Sequence, residues 1–339
     1  EQIRGFGEYG FPESHAASFA LIAYATSWLR RHFLAEFVCS LLNAQPMGFY
    51  SPATIIGDAQ RHGLEVRPID VAVSAWDCTL EPGTPRGGAG PTDDEQASPL
   101  AVRMGLRWVR GLAVADGDRL VATRAAAAFT SVEDFARRTR LGGKTYAALA
   151  EAGALDTLGA GAGGSHRRDA LWQVTGWAAR QHDGLALGGD VDAGLRFAAL
   201  DSLDEILWDY RASDHSTRGH VLGPLRTDLD RRGHPDARAV GRMRDGARVA
   251  YVGVAICRQR PATASGVTFM TLEDETGLVN VVIWPQVFAT YGVVARTASV
   301  LGVRGKLQVQ EGLVHLIADE LWVPELSRPV AGTGSRDFH

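Results

Sequence analysis

The sequence predicts an α+β chain of several domains, and three observations carry that expectation. Residues 1–74 hold long apolar segments ended by helix stop signals. Residues 101–185 read as short helices separated by tight glycine turns. From Arg248 to Trp322, five apolar or alternating runs with turns between them read as strands. The 339 residues suffice for two or three domains with proper cores.

In the first segment, Pro12 suits a first helical position and Glu13 a first turn, while Arg30, Arg31 and His32 arrive where a C-terminus should be. From Ala16 to Trp28 the apolar residues fall on all sides, which predicts a helix buried within a larger protein. Ser14 and His15 sit at its positive end, where unpartnered backbone N–H groups favour a phosphate or sugar. The same pair also reads as a cap and a satisfied histidine, and Glu13 opposes an anion, so spacing leaves both readings open. The chain starts Glu1-Gln2-Ile3 just ahead of this helix, which reads as a piece of a longer protein.

A second apolar segment covers Phe33–Leu42. Ser51-Pro52 then starts a third helix running to about His62, where Gly63 stops it, and Leu64–Pro68 is a short strand. Residues 75–100, rich in Pro, Gly and acids, are expected to be a flexible linker. In 101–185, Arg110-Gly-Leu-Ala113 is a turn, Asp116–Ala125 a helix, Thr130 and Glu133 a capping box opening a helix to Arg138, and Lys144–Glu151 a further helix. Helix, glycine turn and helix, twice over, outlines a tandem helix-hairpin-helix region. Such hairpins aim backbone N–H groups at a phosphate without reading bases, and Arg110, Gly111 and Lys144 are the candidate contacts. Plain packing helices are the other reading.

Ser165–Arg180 is expected to be helical with Trp172 and Trp177 in the core, and 181–199 to be loose. Residues 186–245 read as a helical connector in which Ser202 caps a helix and His220 and the Arg231–Pro235 run are solvated. Across 246–325, three strands, a helix from Pro285 and two strands give the order of a five-stranded OB-fold β-barrel, followed by a tail at 326–339. Such barrels grip single strands through their second and third strands and nearby loops. Arg258 and Arg260 in the first loop and Phe269 on the second strand are the candidates; Trp284 could also stack on bases, but its place before Pro285 favours closing the barrel core.

At 45% hydrophobic and 22% charged, the composition is ordinary for a soluble protein. Cys39, Cys78 and Cys257 lie far apart without CxxC spacing, which suggests neither disulfides nor a zinc site and fits a reducing cytoplasm. No run reaches the roughly 18 apolar residues of a membrane span. Residues 101–185 hold twelve basic against eight acidic side chains, an excess able to support phosphate contacts but far from a strongly basic domain. Only two of the 35 basic residues are lysine.

Tyr9-Gly-Phe-Pro-Glu-Ser-His-Ala-Ala-Ser-Phe-Ala20, Trp28-Leu-Arg30 and Leu41–Pro52 closely resemble the fingers region of bacterial C-family DNA polymerases. The string Gln45-Pro-Met-Gly-Phe-Tyr-Ser-Pro52 resembles their error-prone, damage-inducible branch. The resemblance continues through Val109-Arg-Gly-Leu112, Phe129–Phe135, Ala152-Gly-Ala-Leu155, Arg258-Gln-Arg-Pro261 and Phe269–Gly277, nearly the whole chain.

It implies the C-terminal part of a DNA-directed DNA polymerase, a nucleotidyltransferase acting in translesion synthesis. Mg²⁺ would be held by aspartates of an upstream palm outside this chain, leaving no catalytic residue here and a fragment inactive alone. It implies that residues 1–74 end the fingers, with Ser14 and His15 against the incoming nucleotide and His15 near its sugar, placed to exclude a 2′-hydroxyl. Main replicases of the family carry Asn-Lys where this chain has Pro12-Glu13, a change that weakens nucleotide capture. The implied partners are primed DNA template, deoxynucleotides, single-stranded DNA at the barrel, and an inactive Y-family-like polymerase. The sliding clamp would be reached through that polymerase, because Gln286-Val-Phe288 falls in the expected barrel helix. The competing class is a non-enzymatic nucleic-acid-binding or protein-docking module built from the same units.

Overall fold

The computed structural model describes residues 13–48, 50–84, 99–159, 167–182, 197–261, 264–330 and 336–338. Pro12, the acidic run 85–98 and most of 181–199 therefore lie outside the described residues. Helix α1 (Glu13–His32) forms as the stop signals predict, with Arg30, Arg31 and His32 in its last turn. The expected burial is not met within this chain: Phe19, Ile22 and Tyr24 are 56%, 57% and 70% exposed. Apolar residues on every side give the helix no single stripe to lay on a neighbour. Its C-terminal end is tied down by Arg30 on Asp58 at 2.7 Å.

Helices α2 (Leu34–Asn43) and α3 (Pro52–Arg61) follow, the latter capped by Ser51, whose hydroxyl accepts the Thr54 N–H at 3.2 Å. Strand β1 (Val66–Arg67) pairs parallel with β3 (Leu100–Arg103), which pairs antiparallel with β2 (Thr79–Pro82). The residues flanking 85–98, expected to be linker, are thus paired strands. They are held because Glu81 takes both Arg67 and Arg103 as partners, at 2.6 and 2.9 Å. A single apolar core runs from Leu42 and Ile56 through Met104 and Leu106 to Phe135 and Leu155, so the first helices and the hairpin region are one packed body.

That body contains a short 3₁₀ turn (Leu106–Trp108), α4 (Val114–Ala126), α5 (Val132–Thr139), α6 (Gly143–Glu151) and α7 (Arg167–His182). The expected Thr130/Glu133 box is shifted by one residue. Ser131 accepts the Asp134 N–H at 3.0 Å and Asp134 accepts the Thr130 N–H at 3.2 Å, because facing both Val132 and Phe135 inward starts the helix at Val132. Helix α8 (Ser202–Ser213) is likewise capped by Asp201 and not Ser202. Trp177 packs on the core, whereas Trp172 is half exposed, against expectation.

After α8 come a 3₁₀ turn (Gly223–Leu225), α9 (Arg226–Arg231) and α10 (Ala237–Val240). Leu203, Ile206, Leu222 and Leu229 of this connector form a second core with Val252, Val254 and Val300 of the barrel. Arg231, Arg232 and Gly233 are exposed as expected, whereas His220 and His234 are half-buried, His234 with its ring 5.8 Å from that of Trp322. Burial pushes the His220 imidazole down to about 4, and His234 Nδ1 meets the Ala250 carbonyl at 3.1 Å.

The barrel comprises β4 (Arg248–Gln259), β5 (Thr268–Glu273), β6 (Leu278–Ile283), α11 (Pro285–Thr297), β7 (Val300–Gln310) and β8 (Leu313–Trp322). Its strands run in the order β5-β6-β8-β7-β4, and pairing of β4 back onto β5 closes it. Tyr251, Leu272, Val281, Leu307 and Leu316 fill the interior. At the β7 bulge, a Cβ on Gly305 would lie 1.9 Å from the Ile317 carbonyl oxygen, so only glycine lets β7 and β8 approach this closely. Within the expected tail, β9 (Arg336–Phe338) adds parallel to the end of β4.

Candidate nucleic-acid interface

Two hairpin turns repeat one backbone pattern. In the first, Gly111 is left-handed (φ +78°), Leu112 is buried, and Ala113 in extended conformation opens α4 without a side-chain cap. In the second, Arg140 is left-handed (φ 49°), Leu141 is buried, and Gly142 opens α6, again uncapped by a side chain. An uncapped helix start leaves its first N–H groups without intrahelical partners, and the preceding left-handed residue curls the chain around them, which is the geometry that takes an anion. Tyr146 braces the second turn: its hydroxyl accepts the Leu141 N–H at 2.9 Å and donates to the Ala136 carbonyl at 2.7 Å. Thr145 of α6 donates to Asp116 of α4 at 3.0 Å, tying the hairpins together.

Their side chains differ. Arg110 is bound bidentately to Asp214, its Nε 2.8 Å from Oδ2, so the first expected cation is already engaged inside the chain. Lys144 is exposed in the first turn of α6. Below the second hairpin, Arg167, 2% exposed, pairs with Asp209, and Arg218 joins Asp209 to Asp156. Burial outweighs both guanidinium groups at Asp156 and pushes its carboxyl up to about 6.

The barrel presents a second surface. The register aligns Phe269, Val282, Ile317 and Lys306 in one row across β5, β6, β8 and β7. Beside it, Thr271, Asn280, His315 and Gln308 form a polar row. All eight point away from the buried interior, with Phe269 40% exposed. Trp284 continues the outward alternation of β6 and is half exposed, so it does not close the core as expected. It is diagonal to Phe269, a spacing of about 7–8 Å between such neighbours. Exposed aromatics at that spacing, beside hydrogen-bonding side chains and a lysine, suit unstacked bases and their phosphates.

The remaining expected contacts fall elsewhere. Arg258 turns inward, donating to the Ala295 carbonyl at 2.8 Å and to that of Ala298. These are unsatisfied acceptors at the end of α11, where a cation is favoured by the helix dipole. Arg260 is exposed and lies over the Phe288 ring, 4.7 Å from its centroid. Ser14 lies in the first turn of α1, and its side chain is outside the described residues. The His15 ring packs edge-on against Phe19 of its own helix at 4.5 Å. For Lys306, Asn280 and His315 the only sequence signal is the period-two alternation of β6 to β8, which does not say which face is outward. Among the described residues no cluster of three or more His, Cys, Asp or Glu could hold a metal, and no helix is long and apolar enough to cross a membrane.

Residues 63–170 match the family described as helix-hairpin-helix motif, and residues 253–324 the family described as OB-fold nucleic acid binding domain. Over its whole length the chain is 46% identical to an error-prone DNA polymerase of Azoarcus sp.. Along that length it is similar to error-prone DNA polymerases. Those of Methylococcus capsulatus and Burkholderia pseudomallei are 44% and 43% identical over 94% and 100% of the chain. The chain spans about 30% of the length of these polymerases. Among solved structures, an asparaginyl-tRNA synthetase from Pyrococcus horikoshii is similar at 20% identity over 27% of this chain and 22% of that one. The TM-score of that match is 0.24.

Proposed function

We propose that the chain is the template-handling C-terminal part of an error-prone DNA-directed DNA polymerase working in damage-induced translesion synthesis. The observation that carries this is the 46% overall identity to an error-prone DNA polymerase in a match that covers the whole chain, hairpins and barrel included. A whole-length match of that kind does not favour a stand-alone docking module. In this reading the second hairpin turn holds duplex backbone through N–H groups and Lys144, and the outward rows of the barrel hold single-stranded template by stacking.

The start of α1, with Ser14 and His15, faces the incoming nucleotide, and the exposed apolar surface of α1 is covered by the rest of the polymerase. Mg²⁺ would be held by residues outside this chain, where it supplies two-metal phosphoryl transfer. An inactive Y-family-like polymerase is the expected partner and the route to the sliding clamp, since Gln286 and Phe288 are built into α11 and Phe288 lies beneath Arg260 and Arg296.

Fluorescence anisotropy with labelled oligo(dT) tests the barrel. Phe269→Ala is expected to weaken binding by about 1–3 kcal/mol, and Lys306→Gln to lower the salt slope by about one. Unchanged affinity and slope in both variants would remove the barrel face from the proposal.

A further inference from the structure

The hairpin joining β5 and β6, Glu273-Asp274-Glu275-Thr276-Gly277, has the composition of an ordinary solvent turn. In the structure its three acids reach other parts of the chain. Glu273 accepts Arg61 Nη1 of α3 at 3.1 Å, with the two side chains only 7% and 16% exposed. Asp274, fully buried, accepts the Ala237 N–H of α10 at 2.7 Å and the Thr276 N–H of its own turn at 2.8 Å. Glu275 pairs with Arg226 of α9, which also reaches Asp274 at 3.4 Å. Beside them, Gln60 of α3 donates to the Thr217 carbonyl at 2.7 Å. The helical body, the connector and the barrel therefore meet at this hairpin.

A turn that merely reversed the chain would gain nothing from buried carboxylates, which are costly to desolvate. Buried ion pairs contribute little net stability, but they penalise every arrangement in which one partner is left alone. Burial pushes the Glu273 carboxyl up to about 7, with Asp274 and Asp58 adding to the rise, and Arg61 is the cation that opposes it. A misdocked barrel would strand this group without its partner.

We propose that Arg61 and Glu273 are a positioning pair that sets the angle at which the barrel presents its outward rows to the body carrying the hairpin turns. The orientation stands on the ion pair; its consequence for a bound strand rests on the nucleic-acid reading above.

Nitroxide labels at Ala122→Cys in α4 and Val293→Cys in α11, with Cys257→Ser, allow the body-to-barrel distance distribution to be measured by pulsed electron resonance on the whole chain. Arg61→Glu and Glu273→Arg are each expected to broaden that distribution about twofold, and the two together to restore its width. Arg61→Gln, which adds no like charge, is expected to broaden it as well, with circular dichroism showing retained helix and strand. Single variants as narrow as the parent, or a double reversal no narrower than the singles, would overturn the proposal. Oligo(dT) binding by the same samples separates the two ideas. A parent that fails to bind defeats the nucleic-acid reading while leaving the label distances to decide the positioning pair.

Discussion

At the first hairpin turn the cation beside the left-handed residue, Arg110, is held by Asp214, and its backbone N–H donates to the Ala212 carbonyl at 2.9 Å. At the second, Lys144 stands exposed beside an uncapped helix start whose turn is braced from within by Tyr146. The two backbones follow the same course, yet the first turn has become a joint between the hairpin body and the connector, while the second remains an outward surface. A hairpin motif thus fixes where N–H groups point, and the surrounding chain decides whether the accompanying charge is available to a ligand.

The largest effect that would sharpen this comparison is in packing. Leu141→Ala is expected to destabilise by about 3–5 kcal/mol, and Leu112→Ala, which is less deeply buried, by about 2–3 kcal/mol, measured by urea unfolding. Equal losses would mean that the two turns are braced alike. Next comes backbone strain. Gly111→Ala is expected to cost about 1–2 kcal/mol because it forces a side chain into the left-handed region, whereas Arg140→Gly is expected to be neutral or stabilising by up to about 1 kcal/mol. Shifts of the same sign would break the equivalence of the two left-handed residues. The smallest effect is electrostatic. Lys144→Ala should lower the salt slope of duplex binding by about one and Arg110→Ala should leave it unchanged. A drop for Arg110→Ala as large as that for Lys144→Ala would show that the Asp214 pair opens on binding.

Local signals located most of the architecture. Ser51, Pro52 and Gly63 bracket α3 as expected, apolar or alternating runs mark all five barrel strands, and Pro285 marks the start of the helix between them. The caps of α5 and α8 were each displaced by one residue, because several neighbouring residues can cap and the choice falls to the one that turns the apolar stripe inward.

The candidate site was less legible, since its side chains are assigned by partners distant in sequence. Arg110 is taken by Asp214, and Arg258 by carbonyls at the end of α11. The outward rows of the barrel depend on the parallel pairing of β6 with β8, which no single strand announces. At Trp284 an aromatic residue before a proline suits core or surface alike until its strand face is known, and that face is outward. The acids of the β5–β6 hairpin gave no sign in the sequence that they were buried, because their cations lie in α3 and α9.

The chain has only two lysines, Lys144 at the second hairpin turn and Lys306 in the outward row of the barrel, and both are exposed. Among the described residues neither takes part in an ion pair, a task left to arginine. Side-chain amines are therefore confined to the two surfaces proposed to meet nucleic acid. An amine-selective reagent reads each surface separately by mass spectrometry without touching the guanidinium scaffold, and lysine acetylation would neutralise both surfaces and leave the fold's ion pairs intact.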